Sequence, residues 1–149
     1  MKEVFRDIFP WLKVAIIKAG WFPIAVFGFH QLVARGFDAY NVFPLLDIPM
    51  HFLGGVAIGV FFWVLFTSNE SLRVIGGLTQ FGRIIVSIMG VFVAVSMWEF
   101  AEWTTDFIGI SEAQLSINDT MLDMFLGVCG GVLAVICFNH FLNKKSRNS

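Results

Sequence analysis

Charge is scarce in this chain: Asp, Glu, Lys and Arg together make up 14% of 149 residues, against about 25% in a typical soluble domain. So small a charged fraction excludes an ordinary water-exposed surface. The net charge is −1, and the basic residues are scattered rather than gathered into a patch, which argues against a nucleic-acid partner. Cysteine is also rare. Cys129 and Cys137 lie in one apolar run, where a helix would hold them about 12 Å apart, beyond disulfide reach, so they read as small packing residues. The chain also lacks a phosphate-cradling glycine loop, a recognisable Ser-His-Asp arrangement and the paired Glu-x-x-His of ferritin-like di-iron bundles.

What it has instead is apolar length. Hydrophobic residues make up 57% of the sequence, 18 of them Phe, and the mean hydropathy is +0.77. A spanning helix needs about 20 apolar residues, and four runs meet that need, at residues 14–34, 50–66, 84–103 and 120–142. The expected fold is therefore all-α, a polytopic four-helix transmembrane bundle forming one domain over residues 1–149. Pro23 should disturb the first span, and Lys18 lies near enough to its end to snorkel. Ahead of it, Phe5, Ile8, Phe9 and Leu12 recur at helical spacing among Lys2, Glu3, Arg6 and Asp7, the pattern of a short interfacial helix. Acidic residues in that stretch, with no small-residue cleavage site after it, argue against a signal peptide.

The basic residues orient the spans. Lys2, Arg6, Lys13 and Lys18 precede or enter the first, Arg73 and Arg83 lie between the second and third, and Lys144, Lys145 and Arg147 follow the fourth, whereas the other two loops contain Arg35 alone. By the positive-inside rule both termini are expected in the cytoplasm of a bacterial inner membrane, with the loops at 36–49 and 107–118 on the opposite side.

That orientation gives the acidic residues a common depth. Asp47 and His51 open the second span, Glu99, Glu102 and Asp106 close the third, and Asp119, Thr120 and Asp123 open the fourth, while His30 lies about one turn from the outer end of the first. At 100° per residue Asp47 and His51 stand within about 40° of each other, as do Asp119 and Asp123, and the three acids of the third span share an arc of about 60°. Each set forms a stripe. Asp47 or Asp119 taken alone could be a helix cap favoured by the dipole. Glu99 and Glu102 resist that reading, because they sit toward a helix C-terminus, where the dipole disfavours negative charge. A carboxylate well inside a span costs roughly 2.5–3.5 kcal/mol on insertion scales, so protons or a cation must compensate the group. The candidate metal ligands are His51, Glu99, Glu102, Asp119 and Asp123, with His51, Glu99 and Asp123 as candidate catalytic residues. Carboxylates with one imidazole suit Mg²⁺ or Mn²⁺, and Zn²⁺ or non-haem iron would follow if His30 joined His51. His140, at the other end of the fourth span, reads as an interfacial anchor.

The segments Asp47-Ile-Pro-Met-His51-Phe-Leu-Gly-Gly, Trp98-Glu99-Phe-Ala-Glu102-Trp103 with Asp106, and Asp119-Thr120-Met-Leu-Asp123 with Gly127 and Gly130-Gly131 resemble the bacterial YjdF-like membrane proteins. They are also distantly similar to VanZ-like proteins, which are linked to glycopeptide-antibiotic tolerance. The chain departs from the VanZ pattern in carrying Glu at both 99 and 102, where those proteins have a Glu-x-x-Gln type arrangement. The resemblance covers spans two to four and implies a helical inner-membrane protein with a polar cluster.

Small residues complete the pattern. Gly55 and Gly59, then Ser87, Gly90 and Ala94, then Gly127 and Gly131 would let spans two, three and four approach closely with their acidic stripes inward. Trp98 and Trp103 are expected in the outer aromatic belt, and Trp11 and Trp21 near the inner one. The loop at 107–118, with Glu112 and Gln114, should cover the cluster. Three functions fit these residues: a metal-dependent enzyme acting on a membrane lipid or lipid-linked envelope precursor, a proton- or cation-coupled carrier, and an accessory subunit of a membrane complex or homo-oligomer.

Overall fold

Four apolar helices dominate the computed structural model, which describes residues 2–32, 36–37, 39–111, 114 and 116–147; no strand occurs among the described residues. Arg35 and Glu112 lie outside the described residues, as do the side chains of Lys2, Glu3, Phe5, Lys144, Lys145 and Arg147.

The chain begins with α1 (Lys2–Ala15), passes through a π-helical turn at Ile16–Gly20 and continues as α2 (Trp21–Gln31). The amphipathic segment and the first apolar run are thus joined, and an apolar stretch long enough to span runs from Arg6 to Gln31. The π turn falls just ahead of Pro23, whose ring crowds the carbonyl four residues back and offers it no N–H. At 1.5 Å per residue those 26 residues reach about 39 Å, longer than the roughly 30 Å hydrocarbon core, so the charged first turns extend past it. Trp11 fixes that end by donating its indole N–H to the Leu65 carbonyl at 2.6 Å and tilting against Phe66, with centroids 5.9 Å apart.

A short α3 (Ala39–Val42) and a 3₁₀ turn at Pro44–Leu46 lead into α4 (Asp47–Thr67); α5 (Ser71–Val74) then connects to α6 (Gln80–Phe107), and α7 (Ile117–Arg147) follows. Local chemistry sets these boundaries. Thr79 caps α6 by accepting the Gly82 N–H at 3.0 Å. At its other end Gly109 adopts φ +74° while the Ile110 N–H reaches back to the Thr105 carbonyl at 2.8 Å, the left-handed closure that glycine allows. Ser116 opens α7 by accepting the Asp119 N–H at 3.2 Å.

The tightest packing joins α4 and α7. Gly55 faces Gly127 and Gly59 faces Gly131, both partners advancing four residues together, so the two helices run parallel. A Cβ on Gly55 would collide with the Gly127 carbonyl, and one on Gly130 with the Phe52 carbonyl. Across this pair lies α6, antiparallel to both, with Val91 and Val95 seated over Gly131 and Gly127. Away from the bundle, α6 exposes Phe92, Val93, Met97 and Phe100 at 50%, 62%, 61% and 63%. An apolar exterior of that kind is the surface a lipid solvent requires. The α4, α6 and α7 ends that carry carboxylates therefore meet at one end of the bundle.

Candidate functional site

Those three helices deliver their acids by two routes. α4 and α7 start at the site, so their positive dipole ends point toward it and favour Asp47 and Asp119 in their first turns. α6 ends there, with the opposite polarity, and its dipole disfavours Glu99 and Glu102. His51 is the hub. Its Nε2 stands 3.2 Å from Asp47 Oδ1 and 3.8 Å from Asp123 Oδ2, and its Nδ1 stands 3.8 Å from Glu99 Oε1. Ligand-capable atoms of Asp47, His51 and Asp123 lie within 4.8 Å of one another, as do those of His51, Glu99 and Glu102.

Burial sharpens the problem these charges pose. The side chains of His51, Glu99 and Asp123 are 10%, 6% and 8% exposed. Glu99 Oε1 is buried without a hydrogen-bond partner, a state that costs a carboxylate far more than a neutral group. Its other oxygen lies 3.5 Å from Gln114 Nε2, which also donates to the Glu99 carbonyl at 3.2 Å. Gln114 is held there by Asp106, which accepts its backbone N–H at 2.7 Å and the Ser111 hydroxyl at 2.5 Å. The described part of the loop after α6 thus lies over Glu99, and Asp106 serves as its anchor.

Of the five residues expected as ligands, the structure gathers His51, Glu99, Glu102 and Asp123, together with Asp47, which joins through its place one turn before His51. Asp119 falls in neither group. It is the third residue of α7, bonded through its own N–H to Ser116, and its charge suits the positive end of the helix dipole. Thr120 likewise turns back, donating to the Ser116 carbonyl at 3.2 Å.

Beside the hub lies a cavity of about 100 Å³ between α2, α4, α6 and α7, with His51, Glu99 and His30 at its polar end. His30 shares a hydrogen bond with the Tyr40 hydroxyl at 2.8 Å and meets the Trp98 ring edge-on at 5.6 Å. Trp98 therefore turns inward as a cavity wall, while Trp103 is 53% exposed and stacks on Phe107 at 5.5 Å. Burial, and then the negative charges of Asp47 and Glu102, push the Tyr40 hydroxyl up to about 12, so Tyr40 is a neutral donor throughout the physiological range. No motif marks Tyr40 in the sequence; its position depends on how the loop ahead of α4 folds back.

A family model described as Predicted membrane protein (DUF2238) matches residues 9–144. That match agrees with the YjdF-like resemblance and does not extend to VanZ-like proteins. No curated protein and no solved structure matches the chain.

Proposed function

The chain belongs to the family of predicted membrane proteins DUF2238, and from that premise we propose that it is a metal-dependent membrane enzyme acting on a lipid or lipid-linked envelope precursor. The observation that carries this reading is the buried Glu99 Oε1, which has no hydrogen-bond partner yet points at His51 from 3.8 Å. That separation is too long for a hydrogen bond. It is close to the roughly 3.4 Å that two ligands about 2.1 Å from a tetrahedral metal keep between them. A divalent cation on the Nδ1 side of His51 would satisfy the orphaned oxygen and offset the repulsion between Glu99 and Glu102. His51 through Nδ1, Glu99 and Glu102 form the donor set, which suits Zn²⁺, Mn²⁺ or Mg²⁺, while Asp47 and Asp123 face Nε2 on the other side of the ring. When bound, such an ion supplies an activated water or a clamp on phosphoryl oxygens. Around it, Asp47 orients the imidazole, Gln114 holds the Glu99 carboxylate in place and shields it from water, and Tyr40 offers a neutral O–H near the polar end of the cavity.

The carrier reading gains less support. Below the site the helix interfaces close on Gly55 against Gly127, Gly59 against Gly131, Ala57, Val91 and Val135. Among the described residues the buried polar or charged residues are Ser71, Ser87, Glu99 and Asp123, and Ser87 is already bonded to the Arg83 carbonyl at 2.7 Å. Such packing offers an ion no polar path onward. We place the protein in a bacterial inner membrane with both termini cytoplasmic, on the strength of the basic-residue distribution.

Thermal unfolding of the purified full-length protein with Zn²⁺, Mn²⁺ or Mg²⁺, and again after chelation, tests the reading. A ligand at about 100 times its Kd stabilises by roughly 2.7 kcal/mol, so one ion should raise the wild-type midpoint by several degrees and leave Glu99→Gln unmoved. An equal response in both proteins would remove the cation from the site.

A further inference from the structure

The site's cavity has a direction. Its polar end carries His30, His51 and Glu99, and its walls below are Pro23, Val26, Phe27, Ile58 and Val95. From His30 to Pro23 on α2, and from His51 to Ile58 on α4, the lining extends over seven residue steps in each helix, about 10 Å at 1.5 Å per residue. The cavity therefore runs along the helices, polar toward the end where α4 begins and apolar toward the bilayer centre. A lipid in that leaflet has the same polarity. In a soluble protein such a pocket would admit many apolar ligands, but around a spanning bundle the surrounding solvent is itself lipid.

The way in is also defined. α2 packs along α4, and its described ring contacts with α6 are the edge of Phe27 on Trp98 at 5.5 Å and of His30 on the same ring. Phe27 is 48% exposed, so this side wall is made of side-chain rings rather than interlocked backbone. On the α4 side the lining includes Gly54, where an added Cβ would meet nothing within 4 Å. Its neighbour Gly55, by contrast, is pressed against α7. One glycine serves helix packing, and the other keeps the slot open.

We infer that this cavity is a lateral slot for one acyl chain of a bilayer phospholipid, entered between α2 and α6, which sets the phosphate at the His51 and Glu99 end. A volume of about 100 Å³, smaller than the roughly 150 Å³ of a dry cavity that accepts benzene, holds the head-proximal segment of a single chain; the remainder stays in the bilayer. The placement of the phosphate rests on the cation proposed above, because carboxylates alone would repel it. The chain slot rests on the cavity itself.

The test uses the full-length protein in nanodiscs containing phosphatidylglycerol with a diazirine near the head-proximal end of one acyl chain. After irradiation, crosslinks should concentrate on Val26, Phe27, Ile58 and Trp98, above the level at the lipid-facing Phe92 and Val93. Gly54→Phe should lower cavity crosslinking by about tenfold or more and leave the yield at Phe92 and Val93 unchanged. Gly54→Leu provides a milder block should the larger ring disturb folding, which circular dichroism would reveal. Uniform labelling of cavity and lipid-facing residues, or a yield unaltered by both variants, overturns the slot. Metal content measured on the same samples separates the two proposals. Crosslinks in the cavity of a metal-free protein would retain the slot and overturn the enzyme reading, whereas metal without cavity crosslinks would do the reverse.

Discussion

Two adjacent glycines in α4 should respond very differently to the same substitution. In Gly55→Ala the new methyl falls on the Gly127 backbone carbonyl, which cannot swing aside as a flexible side chain could, so α4 and α7 must separate. The related contact at Gly59 shows the scale: a Cβ there would stand 2.5 Å from the Gly131 oxygen against an ordinary limit of 3.4 Å, a deficit of about 1 Å, and at Gly55 it is larger. Overpacking of this kind typically costs about 1–3 kcal/mol, and a backbone obstacle places Gly55→Ala at the upper end. His51 and Asp123 lie one turn before Gly55 and Gly127 on the same two helices, so an opening of about 1 Å would carry their 3.8 Å approach to nearly 5 Å and break that contact of the hub. Gly54→Ala adds its methyl to open space and should stay within about 0.5 kcal/mol of wild type. Reversible unfolding of the purified protein in mixed micelles measures both. Equal stabilities for the two variants would refute the parallel glycine contact.

Asp106→Ala should free the loop from α6, accelerating amide exchange at Gln114 by about tenfold or more, since a hydrogen bond to a charged group contributes about 1.5–3 kcal/mol; unchanged exchange would show that Asp106 does not anchor it. Tyr40 is the single tyrosine, so the ultraviolet absorbance of its phenolate reports one group. Wild type should ionise near 12, and Asp47→Asn should lower that midpoint toward 10 without reaching it, because one repelling charge is gone while burial, the larger cause, remains. A midpoint that rises or stays put would contradict the Tyr40 environment. Reporter fusions after Lys144 should read cytoplasm and fusions near Glu112 the opposite side; a reversed pattern would place the cluster in the other leaflet.

The parts of the fold readable from sequence are those that repeat. Apolar runs of membrane length give the four helices, and the depth shared by His51, Glu99, Glu102 and Asp123 brings them together, because α4, α6 and α7 alternate in direction. Stripe geometry does not separate Asp119 from Asp123, since both share a face of α7; Asp119 stands one turn nearer the helix start and falls outside the groups gathered at His51. For Asp47 the spacing leaves open a cap or a member of the stripe with His51, and the structure sets it 3.2 Å from the His51 ring. The π turn at Ile16–Gly20 was hidden, because an apolar segment keeps no amphipathic register from which a five-residue turn would stand out. Trp98 read as a belt residue, because its position near a helix end says nothing of which way the ring faces. The parts played by Tyr40 and Gln114 depend on loop conformation, which one sequence does not encode as a period.

The central claim, that Glu99, Glu102 and His51 share a cation, is tested most directly by elemental analysis of the full-length protein purified without chelator, alongside Glu99→Gln and Glu102→Gln prepared identically. The account predicts one divalent metal ion per wild-type chain, lost from both variants while their helix content is retained. Wild-type protein with no stoichiometric metal, or variants that keep the full amount, would contradict it.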